Sequence, residues 1–129
     1  MSVPKIYKVH KVVEVYDGDT ITVEIDLGFN VTVTEILRFY GVNAPELHGA
    51  SHDEGIASRD YVAKRLNDAK KIEILTFRVD DYKTKTGKYG RYLAEVYVDD
   101  VMLNQELLDK GLAVPFMGRL VPKTEVVNG

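Results

Sequence analysis

From Ile6 to Tyr40 the sequence is a strand-like apolar run broken only at Asp17-Gly18 and at Leu27-Gly28-Phe29-Asn30. Connections that short join antiparallel neighbours, whereas a parallel pair needs a crossover of a dozen residues or more. Ile6 to Tyr16 carries Val9, Val12, Val13 and Val15, and Val31 to Tyr40 sets Val33, Leu37 and Phe39 in one phase with Arg38 in the opposite one. Between them Thr20 to Asp26 alternates, with Ile21, Val23 and Ile25 on one face and Thr22, Glu24 and Asp26 on the other. A three-stranded meander results, and a parallel βαβ sheet is excluded. Asp17-Gly18 suits a type I′ turn, in which Asp tolerates and Gly prefers positive φ. Asp19 is not needed for that turn and opens a strand, where Asp is disfavoured. It is the first candidate for chemistry, as a ligand to a divalent metal.

After Gly41 the segment Val42-Asn43-Ala44-Pro45-Glu46-Leu47 must be extended near its proline, which biases Ala44 away from helix. Ser51 and Glu54 form a capping-box pattern, and Ile56, Val62, Ala63 and Leu66 predict a helix reaching about Asn67. Lys71 to Val79 reads as a fourth strand, Asp80 to Gly90 as a polar loop and Arg91 to Val98 as a fifth strand. Met102 to Lys110 predicts a second helix with Leu103, Leu107 and Leu108 inward and Gly111 at its end, before a short strand in Leu112 to Phe116. Five short strands and two helices suit an all-β barrel with helices, the five-stranded Greek-key barrel known as the OB-fold. We expect one domain over residues 1–117 and a loosely held tail over 118–129.

The 129 residues include no cysteine, so disulfides and thiolate zinc sites are excluded. Neither an apolar signal core near Met1 nor a run of about 20 apolar residues is present, and the expected location is cytoplasmic. The net charge of −3 does not favour non-specific clinging to nucleic acid. Its distribution is uneven, however. Six carboxylates and no Lys or Arg lie between Val12 and Leu37, whereas Arg78 to Tyr92 holds five basic residues. That separation suits a metal ion in one place and phosphates beside it. His48 and His52 do not make a zinc site, because Gly49 intervenes and no third strong ligand accompanies them.

Four motifs in order then carry a resemblance: Asp17-Gly18-Asp19-Thr20; Arg38 with Gly41-Val42-Asn43-Ala44-Pro45-Glu46; Gly87-Lys88-Tyr89-Gly90-Arg91-Tyr92-Leu93-Ala94; and Asn104 with Gly111-Leu112-Ala113. Each is weak singly, but the series resembles the staphylococcal nuclease (thermonuclease) family from about Val12 to Phe116. The resemblance implies an OB-fold, a Ca²⁺ cofactor, and hydrolysis of phosphodiester bonds in DNA or RNA that leaves a 3′-phosphate. It implies a calcium carboxylate at Asp19, phosphate-binding arginines at Arg38 and Arg91, a general base at Glu46, and nucleotide contacts at Lys88 and Tyr89. Asn43 stands where the reference nuclease has a second calcium-binding aspartate. Ala44 replaces a threonine that ligates through its backbone carbonyl, and no tyrosine matches at the end of the Gly111-Leu112-Ala113 segment. The implied partner is a nucleic-acid substrate, with the protein a monomer and no membrane or obligate protein partner involved. The rival reading is a catalytically weak or inactive module that binds nucleic acid or protein, a fate that follows loss of the catalytic residues. Here Asp19, Arg38, Glu46 and Arg91 are all present.

The chemistry is coherent without the family. A phosphodiester under attack needs its non-bridging oxygens neutralised and a water activated. Oxygen-ligated Ca²⁺ meets the first need, planar guanidinium groups can grip two phosphate oxygens at once, and a carboxylate can take the water's proton.

Overall fold

The computed structural model describes residues 5–78 and 92–116. The expected polar loop over 80–90 and the tail over 118–129 lie outside the described residues. So do Lys88, Tyr89 and Arg91. β1 (Lys5–Asp17), β2 (Thr20–Asp26) and β3 (Thr32–Phe39) form the expected meander. After the two-residue β4 (Val42–Asn43) come helix α1 (His52–Asn67), β5 (Ile72–Arg78), β6 (Tyr92–Val98), β7 (Val101–Met102), helix α2 (Leu103–Asp109) and β8 (Val114–Pro115). Among the described residues no helix is long and apolar enough to cross a membrane.

The main sheet runs β3-β2-β1-β5-β6-β7, and a further β3–β6 pairing closes it into a barrel. β1 can serve both halves because its register against β2 shifts three times, and such bulges bend a strand and increase its twist. Its N-terminal residues Lys5 to Lys8 then pair with β5. The closing pair is parallel, unlike the antiparallel pairs of the meander: Arg38 and Phe39 run alongside Leu93 and Ala94. Closure at those two positions draws the end of β3 against the start of β6.

The core follows the period-2 pattern of the strands. Ile21, Val23, Leu37, Phe39, Ile74, Leu93 and Val96 are wholly buried, with Leu103 and Leu107 of α2 packed among them. Each such side chain contributes roughly 1.5–3 kcal/mol of transfer free energy. Helix α1 presents Gly55, Ser58, Val62 and Leu66 inward. Ile56 and Ala63, expected on that face, are only half-buried at its flanks. Arg65 on α1 grips Glu106 on α2 through two bonds, Nε to Oε2 at 2.8 Å and Nη2 to Oε1 at 2.9 Å, and Tyr61 also donates to Glu106. Asn104 pins the barrel where it closes. Its Oδ1 accepts from the Val96 amide at 2.8 Å and its Nδ2 donates to the Tyr40 and Ala94 carbonyls, both at 3.0 Å.

Two local expectations are corrected. Left-handed backbone is absent from the Asp17-Gly18-Asp19 turn and occurs instead at Phe29 (φ 56°) with Asn30 (φ 63°) and at Asp99 (φ 50°) with Asp100 (φ 74°). Such paired positive φ values mark the type I′ geometry that suits a right-twisted hairpin. Ser51 makes no side-chain cap to α1; its hydroxyl donates to the Glu46 carbonyl at 3.0 Å.

Candidate functional site

The β2–β3 register places Thr20 opposite Arg38, which sets the start of β2 beside the end of β3. Asp19, only 3% exposed, is gripped from several sides at that point. Its Oδ2 accepts the Ala44 amide at 2.8 Å and meets Arg38 Nη1 at 2.6 Å, and its Oδ1 accepts from Thr20 Oγ1 at 3.0 Å. Its backbone amide donates to Asp17 Oδ1 at 3.1 Å, and its carbonyl accepts from the Phe39 amide at 2.8 Å. Arg38 points away from the core, as its strand phase requires. Its Nη2 also donates to Asn43 Oδ1 at 3.2 Å and to the Val42 carbonyl at 3.4 Å. The guanidinium thus joins the carboxylate of one segment to the amide oxygen of another, and the Phe116 ring lies 5.8 Å from its carbon.

β4 is held in place by the far end of the chain, since Val42 pairs with Pro115 and Asn43 with Val114. Glu46 follows on a segment seated against α1. Besides Ser51, His52 Nδ1 lies 2.7 Å from the Leu47 carbonyl oxygen, and a Cβ added at Gly55 would stand 2.4 Å from the Glu46 carbonyl oxygen. Gly18 is under similar constraint, because a Cβ there would fall 2.1 Å from Ser58 Oγ and 2.8 Å from Ala44 Cβ. The Asp-Gly-Asp turn requires glycine because α1 leaves no room for a side chain, and not because of its φ.

Asp17, Asp19, Arg38, Asn43, Glu46 and Phe116 line one cleft of about 340 Å³, within the usual range for a small-molecule site. The acidic pair shares this space unequally. Burial, a hydrogen bond with Asp19 and the Asp19 charge push the Asp17 carboxyl up to about 7. Burial alone would raise Asp19 too, but its hydrogen bond with Asp17, the Arg38 charge and the Ala44 amide hold it below the usual carboxylate range. One carboxylate is therefore ionised and its neighbour is poised to hold a proton.

The structure brings together Asp19, Arg38, Asn43, Ala44 and Glu46; Lys88, Tyr89 and Arg91 lie outside the described residues. Asp17 and Phe116 are additional cleft residues. Asp17 escapes sequence reading because a turn already accounts for it, whereas Phe116 could be found as the aromatic that closes the segment after Ala113. Among the described residues no three His, Cys, Asp or Glu side chains converge as a metal-binding group. The carboxylate and amide side-chain oxygens that the cleft presents are those of Asp17, Asp19, Glu46 and Asn43. All are hard oxygen donors, which fit Ca²⁺ or Mg²⁺ and give no preference to softer metals.

Residues 36–125, more than half of the chain, match the family described as Staphylococcal nuclease homologue. An uncharacterized protein of Methanocaldococcus jannaschii is 30% identical over 141 aligned positions, covering 92% of this chain and 64% of its own length. The thermonuclease of Staphylococcus hyicus is 32% identical over 107 positions, covering 81% of this chain and 57% of its own length. The chain thus spans less than two thirds of the length of either relative. With a family match over most of the chain and a closed barrel bearing the expected acidic turn and arginine, the protein belongs to the staphylococcal nuclease homologue family.

Proposed function

We propose that this chain is a calcium-dependent phosphodiesterase that hydrolyses DNA, RNA or both. The observation that carries the reading is the Arg38 guanidinium, a group suited to gripping phosphate, held between Asp19 and Asn43 in the cleft that Glu46 also lines. Asp19, the Asn43 amide oxygen and the Ala44 carbonyl would hold Ca²⁺, which when bound supplies positive charge to the non-bridging oxygens of the scissile phosphate. Arg38 would trade its Asp19 and Asn43 contacts for two of those oxygens, a substitution its planar fork makes without reshaping. Arg91, which directly precedes β6, would be the second guanidinium. Glu46 takes a proton from the attacking water as the new P–O bond forms. The bond to the 5′ oxygen breaks, leaving a 3′-phosphate and a 5′-hydroxyl whose proton comes from solvent. Lys88 and Tyr89 would contact the flanking nucleotide.

The test is cleavage of single-stranded DNA and of RNA with Ca²⁺, with Mg²⁺ and with chelator. Cleavage that needs Ca²⁺, stops with chelator and returns on adding calcium is expected. Cleavage undiminished by chelator would remove the metal from the reaction. Binding without cleavage under every condition would make the chain a recognition module.

A further inference from the structure

Helix α1 contributes no side chain to the proposed reaction, yet both halves of the cleft rest on it. Gly55 and Ser58, three residues apart on its inward face, are both buried, and each meets a different half. Gly55 lies under the Glu46-Leu47 backbone, where an added Cβ would stand 2.4 Å from the Glu46 carbonyl oxygen, 2.7 Å from its carbon and 3.0 Å from Leu47 Cα. Ser58 lies under the Asp17-Gly18-Asp19 turn, its Oγ where a Gly18 side chain would have to be. The helix start adds the Ser51 hydroxyl on the Glu46 carbonyl and the His52 ring on the Leu47 carbonyl. The Ser58 hydroxyl is also fully buried with no hydrogen-bond partner among the described residues. A buried unsatisfied hydroxyl is costly and uncommon, so its presence under the acidic turn asks for a reason beyond stability.

We propose that Gly55 and Ser58 are positioning residues: this face of α1 fixes the distance between the Asp19 carboxylate and Glu46, and so sets the geometry of attack. The inference rests on the assignment of roles to Asp19 and Glu46 above. A rigid helix is a suitable support, because displacing a reacting group by about 1 Å can cost roughly 10²-fold in rate. The two contacts act on different groups. A disturbance at Gly55 moves the base, and one at Ser58 moves the metal carboxylate.

Gly55→Ala should lower kcat by about 10²-fold, leave KM and calcium affinity unchanged, and shift the amide resonances of Glu46 and Leu47 but not those of Asp19 and Thr20. Ser58→Ala removes an unsatisfied hydroxyl, so Tm should hold or rise while calcium affinity falls several-fold and the Asp19 amide resonance moves. That opposition is the signature of positioning, since a purely structural residue would lower both. Ser51→Ala, a small change at a half-buried position at the start of the helix, should reproduce part of the Gly55→Ala loss in kcat. Gly55→Ala turning over like the parent, or Ser58→Ala binding calcium like the parent, overturns the proposal. If Gly55→Ala fails to fold, undiminished kcat in Ser51→Ala overturns it instead. A parent protein that cuts nothing with any metal refutes the phosphodiesterase reading itself, an outcome distinct from a loss confined to the variants.

Discussion

Two hairpin turns flank β2, and they obey different physics. At Gly28-Phe29-Asn30-Val31 only local contacts decide: the Val31 amide bonds the Gly28 carbonyl at 2.9 Å, the Gly28 amide donates to Asp26 Oδ1 at 2.7 Å, three successive residues have positive φ, and Phe29 is 98% exposed. At Asp17-Gly18-Asp19-Thr20 no φ is positive, but Gly18, Asp19 and Thr20 are all buried and the turn touches α1, β3 and the segment after β4. The first turn could be specified by the hairpin itself. The second is specified by everything packed around it, and that is the turn which carries the acidic pair. A glycine in a sequence therefore reports either a dihedral angle or a missing volume, and only the second ties a turn to distant parts of the chain.

The largest expected effect lies on the packed side. Glu46→Gln keeps the shape of the cleft and removes the proposed base, so turnover should fall by roughly 10²–10⁴-fold with substrate affinity little changed; single-turnover kinetics beside a binding titration measure both, and a variant as fast as the parent places the base elsewhere. Next comes the contrast between the turns themselves. Gly18→Ala should cost about 1–3 kcal/mol as overpacking against Ser58 and Ala44. Gly28→Asn, with φ +86° and nothing within 4 Å of an added Cβ, should cost under about 1 kcal/mol because Asn tolerates that conformation. Urea midpoints for the pair would abolish the distinction if the two costs proved equal.

Asn43→Asp sharpens the electrostatic side. It adds a charge at an oxygen already 3.2 Å from Arg38 Nη2, and calcium should bind about tenfold more tightly after repulsion from Asp19 and salt screening are counted. Equal or weaker binding by calorimetry, in identical salt, would place Asn43 outside the metal site. Smallest is Phe29→Asn, which replaces a left-handed, solvent-exposed phenylalanine. We expect a gain of up to about 1 kcal/mol in stability with cleavage unchanged; a loss of activity would show that the exposed tip belongs to the function.

Sequence pattern made the strands legible because alternation and burial are the same fact in a half-buried sheet. Thr20 to Asp26 matches β2 residue for residue, and the two helices fall within a residue of expectation. Asp19, Arg38, Asn43, Ala44 and Glu46 were legible through motif order, and the barrel does gather them. Three features could not be read: the parallel closure at Arg38–Leu93, the support of Glu46 by Gly55, and the seating of Gly18 on Ser58. All three are contacts between segments far apart in sequence, and no local periodicity encodes them. Ser51 shows the complementary error, since a correct local pattern promised a helix cap and a nearby carbonyl took the hydroxyl instead.

The pairing of β4 with β8 has a consequence in time. Asp19 and Arg38 meet through one hairpin and could find each other early, because closing a short loop is fast. Asn43 gains its strand partner only when Val114 arrives beside it, and the ring near Arg38 comes from Phe116. During synthesis the acidic turn and its arginine would emerge long before the residues that complete the cleft, and pairings of such sequence separation form late. A nascent chain would hold an ion-paired Arg38 while the cleft is still unfinished, so the proposed activity would arise only after these distant segments have met.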